Sequence, residues 1–304
     1  MMMDFKENLF LNIKKGGKKM KISHNLVFFI IGYLIFNLLV PLSVLVKQGF
    51  QVNIIEIIRI ATDSAALHTY WITVKLALLA TCFNVVFGLI LAWVLVRYEF
   101  FGRQFLDICV DLPFALPTAV AGLTLSFLYG KQGFFSEFIN FFSFLVVPAE
   151  FRVCLAMIFV SLPFVIRTIQ PVLQSMNVEY EEAAYVLGAS EWDIFEQIIF
   201  PRIRASLFAG ASLSLSRSIG EYGSIVILSS NLPFNDLVTP VLIFQKLEQY
   251  DYISASIIGV TILLLSLISL FLISYVQFNF DKIKQGYNFV STFLFNLKNK
   301  VYKY

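Results

Sequence analysis

Two opposite charges, Arg217 and Glu221, lie four residues apart in an otherwise apolar stretch at 205–229. Serines and glycines surround them, at Ser212, Ser214, Ser216, Ser218, Gly220, Gly223 and Ser224. Charges within an apolar span are costly and normally face a bundle interior or a water-filled cavity. Because residues four apart share one helix face, the two side chains can also neutralise each other. The spacing therefore indicates either a self-contained ion pair or a serine-rich surface along which a polar solute moves.

A second group of candidates begins the apolar run at 107–129, where Asp111 is followed by Pro113, Pro117 and Thr118. Each proline removes a backbone donor and leaves the carbonyl four residues earlier without its helical partner. Inside a bilayer such a carbonyl is tolerated only where protein or water satisfies it. The run therefore predicts a kinked helix, which either lines a pore or only packs against a neighbour. The candidates for a translocation path are Asp111, Pro113, Pro117, Thr118, Arg217 and Glu221.

The longest amphipathic and charged segment between the apolar runs lies within 174–204. Its pattern predicts two short helices joined by a turn, with a capping box at the start of the second helix. The signals are Asn177 and Gly188 for the start and end of the first helix, and Ser190, Asp193 and Pro201 for the second. A helix pair of this kind, displayed between membrane spans, is suited to contact a partner protein.

The composition places the chain in a membrane. Of its 304 residues, 58% are hydrophobic and only 14% are charged, whereas about a quarter of the residues in a soluble domain are charged. The net charge of +3 indicates no strongly basic surface for nucleic acid. Three cysteines and two histidines lack ligand-like spacing, so neither a disulfide framework nor a metal site is predicted.

Six apolar runs each reach the roughly 20 residues that a transmembrane helix requires. They are 26–46, 70–96, 107–129, 153–173, 205–229 and 253–276. The sequence therefore predicts an all-α membrane protein with six transmembrane helices. Lys75 and Arg167 lie near the ends of their spans, and we expect their charged groups to extend toward water.

The basic residues predict the orientation of these spans. Residues 1–25 carry six lysines, and a basic segment before the first span marks the cytoplasmic side. Six spans then place the lysine-rich tail at 277–304 and the loop at 174–204 on the same side. The predicted organisation is a basic cytoplasmic N-terminal segment, a six-span domain at 26–276 and a basic cytoplasmic tail.

The loop resembles the cytoplasmic signature of the permease subunits of ABC importers. That signature is Glu-Ala-Ala, three residues, Gly, nine residues, Ile, one residue and Leu-Pro. At the same spacings this chain has Glu182-Ala183-Ala184, Gly188, Ile198 and Phe200-Pro201, so that only Phe200 departs from the pattern. The run that begins at Asp111 and the run Ser218-Ile-Gly-Glu-Tyr-Gly-Ser224 also resemble the sulfate and molybdate branch of the family, including its T-type subunits.

The resemblance implies a type I ABC importer permease fold with a cytoplasmic helix-turn-helix coupling loop. In that family two permease subunits, here identical or paired with a W-type subunit, form a pore above two ATPase subunits. A sulfate/thiosulfate-binding protein delivers the anion, and the loop passes the ATP-driven closure of the ATPases to the pore. The implied ATPase-coupling residues are Glu182, Ala183, Ala184, Gly188, Ile198 and Pro201.

No phosphate-binding loop is present, because Gly130-Lys131 lacks both the upstream glycine and a following Ser or Thr. We therefore expect a transport subunit rather than an enzyme, with no cofactor of its own and ATP bound by its partner. The alternatives are a permease for molybdate or another oxyanion and, in a different class, a secondary transporter or channel. The 33 phenylalanines suggest an AT-rich genome, which leaves a bacterial inner membrane and a chloroplast inner envelope membrane both open.

Overall fold

The structure, a computed structural model, describes residues 24–129, 133–135 and 148–301, and the side chains of 28–129, 133–135 and 149–279. The chain divides into two compact units, residues 1–48 and 49–304, and each is described by itself. Most of the predicted basic N-terminal segment lies outside the described residues. The described part of the first unit belongs to a single helix, α1 (His24–Gly49).

The described part of the second unit is helical, and no strand occurs in it. Its helices are α2 (Ile54–Ala61), α3 (Ser64–Arg97), α4 (Arg103–Val110), α5 (Leu112–Ala115), α6 (Thr118–Tyr129), α7 (Pro148–Ser175), α8 (Glu179–Val186), α9 (Glu191–Ile194), a π-helix (Phe195–Ile199), α10 (Phe200–Ile219), α11 (Ile225–Leu228), α12 (Thr239–Glu248) and α13 (Tyr252–Val301).

Five helical stretches of the described chain are long and apolar enough to cross a membrane. They are Phe28–Gly49, Ser64–Arg97, Ala149–Ser175, Glu191–Ile219 and Tyr252–Asn279. The predicted span at 107–129 is instead divided into α4, α5 and α6, since its two prolines interrupt the helical hydrogen bonds. The predicted span at 205–229 is also interrupted, because α10 ends at Ile219 and the chain leaves the helix before α11.

The last span continues beyond its predicted end. Helix α13 runs from Tyr252 to Val301, so the backbone of the predicted tail extends this helix. The side chains of the tail beyond residue 279 lie outside the described residues. The assignment of 277–304 to a basic cytoplasmic tail therefore stays a prediction.

Helices α3, α7 and α10 pack together at the centre of the second unit. Small residues let their backbones approach: a Cβ on Gly88 of α3 would lie 2.9 Å from Val165 Cγ1 of α7. A Cβ on Gly210 of α10 would meet Thr168 and lie 3.0 Å from Val165 Cα. Close contact of this kind stabilises helix association in lipid, where burial of apolar surface contributes little.

The buried apolar side chains form two clusters along this three-helix centre. The first includes Ile72, Leu76, Met157, Leu215 and Ile225. The second, which we call the hairpin cluster, includes Leu95, Ile169, Leu173, Ile194 and Ile203. Because Ile194 comes from the loop at 174–204, the hairpin cluster anchors that loop to the ends of the three central helices.

Candidate functional site

The first helix of the loop at 174–204 starts one residue later than predicted, with Val178 rather than Asn177 at its N-cap position. Asn177 Oδ1 accepts a hydrogen bond from the backbone N–H of Glu179 at 3.2 Å, at the first turn of α8. The helix ends at Gly188, whose φ of +85° lies in the left-handed region that glycine adopts without strain. The Ala189 N–H then donates to the Ala184 carbonyl at 3.0 Å, which closes the turn and satisfies a carbonyl at the helix end.

The second helix of the loop starts with the predicted capping box. Ser190 Oγ accepts from the Asp193 N–H at 3.2 Å, and Asp193 Oδ2 accepts from the Ser190 N–H at 3.1 Å. The reciprocal bonds satisfy two backbone donors that a helix start leaves free. The loop is therefore a helical hairpin, which we call the coupling hairpin (residues 177–200).

The prediction that Pro201 ends the second helix is wrong. The π-helix leads directly into α10, and the Phe200 N–H donates to the Phe195 carbonyl five residues earlier. This wider turn places Pro201 in the first turn of α10, where a missing backbone donor has little effect. The coupling hairpin is thus joined to a transmembrane helix without a break.

One face of the coupling hairpin packs onto the membrane-spanning core. Ala184 and Ile198 are partly buried against the hairpin cluster, and Ile199 is buried within it. Two of the predicted coupling residues therefore hold the hairpin in place rather than present a surface to a partner.

The opposite face of the coupling hairpin is exposed. We define this outer face by Glu182, Ala183, Tyr185, Val186, Leu187 and Gly188. Val186 and Leu187 are 88% and 87% exposed. Adjacent exposed aliphatic side chains beside an acidic residue are typical of a protein–protein interaction surface. The outer face thus contains three of the predicted coupling residues.

Two arginines from neighbouring helices contact the first turn of α8. Arg97, in the last turn of α3, forms an ion pair with Glu181, and both side chains are mostly buried, at 13% and 14% exposure. On α10 the Arg202 guanidinium lies 4.5 Å from the centre of the Tyr180 ring. Sequence reasoning did not select Arg97 or Glu181, because the predicted orientation places both near the cytoplasmic side but gives no sign that they meet.

The two interrupted spans meet each other. A Cβ on Gly122 of α6 would lie 2.6 Å from the carbonyl oxygen of Ser224, and a Cβ on Gly223 would collide with Thr118. The start of α6, just after Pro117, therefore packs against the chain that follows the end of α10. Breaks in membrane helices leave backbone groups that require protein or water partners, and transporters place substrate sites at such breaks.

Arg217 and Glu221 form the predicted pair at this junction. Arg217 Nη2 lies 2.9 Å from Glu221 Oε2, and the glutamate side chain is 1% exposed. Its other oxygen accepts from the Ser224 N–H and hydroxyl at 3.0 and 2.8 Å. The carboxylate thus accepts two hydrogen bonds from Ser224 and forms an ion pair with Arg217, while the arginine side chain remains 34% exposed. The pair orders the break in the helix and leaves part of the guanidinium accessible.

A buried polar group locates this junction near the middle of the bundle. The Ser218 hydroxyl donates to Ser161 Oγ at 3.0 Å, and Ser161 lies midway along α7. Asn84 Nδ2 donates to Ser161 Oγ at 2.8 Å and to Ser214 Oγ at 3.3 Å. Since Ser218 directly follows Arg217, the charged pair lies at similar depth.

Arg167 does not extend into water as predicted, but forms ion pairs with two carboxylates of α4 and its C-cap. Its guanidinium binds Asp111 with two parallel bonds of 2.8 and 2.7 Å, and its Nη1 donates to Asp107 at 2.7 Å. Lys75 likewise pairs with Glu150 at 2.6 Å. Asp111, a predicted path residue, therefore belongs to a junction between α4, α5 and α7.

The structure thus sorts the predicted path residues into two groups. Thr118, Arg217 and Glu221 belong to the junction of interrupted helices, with Pro117 directly before it. Asp111 belongs to the Arg167 cluster, and Pro113 lies in α5 next to it. Within the described ranges, no group of three or more His, Cys, Asp or Glu side chains could hold a metal ion.

Comparison with known proteins identifies relatives over most of the chain. A sulfate transport system permease of Chlorella vulgaris is 56% identical over 75% of this chain and 86% of its own length. A permease of the same description from Marchantia polymorpha is 50% identical over 80% of this chain and 84% of its own length. For one from Synechococcus elongatus the corresponding values are 47%, 81% and 88%. The resemblance inferred from the loop and the two helix motifs is confirmed.

A solved structure supports the fold. A chain of a bacterial ABC transporter involved in the import of the acidic polysaccharide alginate aligns with a TM-score of 0.68, covering 88% of this chain and 99% of its own. At 15% identity the match shows a shared fold, which is the predicted type I permease fold. Residues 84–282, which include the coupling hairpin and both interrupted spans, match the family described as binding-protein-dependent transport system inner membrane component. This chain therefore belongs to the family of inner membrane components of binding-protein-dependent transport systems.

Proposed function

We propose that this chain is the permease subunit of an ATP-driven importer that carries sulfate or thiosulfate across a membrane. The names of relatives that are about half identical to this chain over most of its length support the substrate. The exposed outer face of the coupling hairpin, rigidly joined to α10 and packed on the core, carries the proposal. A surface so placed can receive a displacement from a partner and pass it to the membrane helices.

The proposed partners follow from this geometry and from the family. Two ATPase subunits would each receive one coupling hairpin, one from this chain and one from a second permease subunit, identical or of the W type. A sulfate/thiosulfate-binding protein would deliver the anion to the opposite side of the membrane. The chain itself would be a transport subunit without a cofactor, with ATP bound and hydrolysed by its partners.

The proposed orientation places both termini and the coupling hairpin on the cytoplasmic side, or on the stromal side in a plastid. The lysine-rich segments at both ends support it. Relatives from a cyanobacterium and from green algae and a land plant support a bacterial inner membrane or a chloroplast inner envelope membrane.

The proposed translocation path runs past the junction of the two interrupted spans. A sulfate dianion leaving water needs many hydrogen-bond donors. The first backbone N–H groups of α6 have no partner within that helix, and Arg217 provides a partly exposed guanidinium. Pro113 and Pro117 interrupt the span at 107–129. Asp111, at the start of this interruption, is held to α7 by Arg167.

The function is tested by reconstituting the purified importer, with its ATPase and binding protein, in proteoliposomes. We expect uptake of labelled sulfate that requires both ATP and the binding protein, and that unlabelled thiosulfate reduces. Sulfate uptake without the ATPase would instead identify a secondary carrier. Preferential transport of molybdate in place of sulfate would correct the proposed substrate.

A further inference from the structure

The ion pair between Arg97 and Glu181 joins the coupling hairpin to a transmembrane helix through a mostly buried charge contact. Both side chains are at least 86% covered, in contrast to the exposed contact between Arg202 and Tyr180 nearby. Arg97 also lies 5.6 Å from the centre of the Trp93 ring on its own helix. The guanidinium is therefore held between an aromatic face and a carboxylate.

Both charged groups of this pair are mostly shielded from water, so water does not readily take the place of either partner. The Arg97 Nη2 atom donates to Glu181 Oε1, while the Arg97 Nε atom is buried and makes no hydrogen bond within the described structure. Removal of one member of a buried pair leaves an unpaired charge, which is far more unfavourable than loss of an exposed pair. The pair therefore holds the first turn of α8 firmly to the last turn of α3.

The position of the pair gives it a mechanical consequence. Helix α3 extends from the hairpin to the opposite end of the bundle, and at its middle Asn84 binds Ser161 of α7 and Ser214 of α10. A displacement of α8 that moves Glu181 must carry Arg97 with it, and the rigid helix then carries Asn84. The apolar packing of Ala184 and Ile198 holds the hairpin on the core but is non-directional, whereas the ion pair adds a contact of defined direction to α3.

We propose that Arg97 and Glu181 are positioning residues that transmit movement of the coupling hairpin to α3, and through Asn84 to Ser161 of α7 and Ser214 of α10. This inference rests on the proposed function. It assigns to Glu181 a role different from that of the neighbouring Glu182, which belongs to the outer face and contacts the ATPase. Loss of the pair should leave ATPase binding intact and lower the transport obtained per ATP hydrolysed.

The test measures sulfate uptake and ATP hydrolysis in parallel on the reconstituted importer. Glu181→Gln keeps the shape of the side chain and removes its charge, and we expect the ratio of sulfate transported to ATP hydrolysed to fall by about tenfold or more. The hydrolysis rate should stay within about twofold of the unmodified importer. Glu179→Gln, in the same turn of α8 but exposed, is the matched control and should leave the ratio unchanged.

The reversed pair separates transmission from folding. The double variant Arg97→Glu with Glu181→Arg restores opposite charges, and we expect it to recover most of the ratio, even if the single variants assemble poorly. An unchanged ratio in Glu181→Gln, or an assembled double variant with no recovery, would overturn the inference. A parallel fall of hydrolysis and uptake would also overturn it, since that result identifies Glu181 as a docking residue. Failure of the unmodified importer to transport sulfate would instead count against the proposed function.

Discussion

Glu181 and Glu182 are neighbours in the coupling hairpin, yet a shift of one position along the helix places their side chains in different surroundings. Glu181 faces Arg97 and is mostly buried, whereas Glu182 is exposed on the outer face. Both are acidic residues in the first turn of α8, so composition and spacing cannot distinguish them. Only the direction of each side chain relative to α3 does so.

The first prediction concerns the outer face. We expect Glu182→Lys to assemble normally and to lower ATP-driven sulfate uptake by at least about tenfold, because a reversed charge opposes docking to the ATPase. The variant should also weaken co-purification of the ATPase subunit. Glu191→Lys makes the same change at an exposed position outside the outer face and should leave uptake near normal. Normal uptake in Glu182→Lys would remove this residue from the docking surface.

The second prediction concerns Arg217. Replacement by alanine leaves the Glu221 carboxylate buried without its cation, and we expect both a lower Tm and a loss of sulfate uptake. The informative comparison is Arg217→Lys, which keeps the charge and loses the planar guanidinium. If the residue contributes to the path, Arg217→Lys should be folded and its uptake reduced. A folded lysine variant with normal uptake indicates that the arginine only neutralises Glu221.

The third prediction concerns the contact between the interrupted spans. Gly122→Ala would place a methyl group 2.6 Å from a backbone oxygen that cannot move freely. We expect a loss of stability of about 1–3 kcal/mol, the usual range for an overpacked site, detected as a lower Tm in detergent. Gly220→Ala is the control, because its nearest neighbour would be the Ser216 carbonyl at 3.6 Å, an ordinary contact. Equal Tm values for the two variants would contradict the close approach.

At the scale of elements, local signals were read correctly and long-range contacts were not. The bond from the Glu179 N–H to Asn177, the turn at Gly188 and the capping box of Ser190 with Asp193 each depend on residues within a few positions. They are therefore visible in the sequence. The continuation of the helix through Pro201 is not visible in the sequence. It follows a π-helix whose residues Ile198 and Ile199 pack in the hairpin cluster.

The contacts of the ion pairs were also invisible to sequence reasoning. Arg167 and Asp111 are 56 positions apart, and Arg97 and Glu181 are 84 apart. From the sequence, a charged residue near the end of a span is as consistent with a side chain that extends into water as with one that pairs with another charge. Only the placement of α4 beside α7 and of α8 beside α3 decides that all four charges meet a partner.

The fourth prediction tests the cluster that fixes α4 and α5 to α7. Arg167→Gln removes the two parallel bonds to Asp111 and the bond to Asp107. We expect a Tm lowered by a few degrees, which corresponds to roughly 1 kcal/mol in a protein of this size, since the partly exposed carboxylates are screened by solvent. Arg59→Gln, which breaks an exposed pair at 3.7 Å on α2, should leave Tm unchanged. The same Tm for both variants would show that the Arg167 cluster does not stabilise the bundle.

At the scale of the whole molecule, the proposed function requires the coupling hairpin and the 230–251 region to lie on opposite sides of the membrane. Helix α10 leads from the hairpin through the bundle to the junction, and the chain then returns through α13. The orientation was predicted from the distribution of lysine and arginine, which acts at the membrane surface and is independent of the packing inside.

The fifth prediction tests this sidedness. In a chain whose three cysteines are replaced by alanine, Val186→Cys and Tyr250→Cys each introduce one thiol at a side chain that is 88% and 79% exposed. A membrane-impermeant maleimide should label Val186→Cys only in inside-out vesicles, and Tyr250→Cys only in right-side-out vesicles. Added ATPase subunit should protect Val186→Cys from the label, since Val186 belongs to the outer face, and should not protect Tyr250→Cys. Labelling of Val186→Cys in right-side-out vesicles would place the hairpin on the side where no ATPase could reach it, and an importer driven through that hairpin would then be impossible.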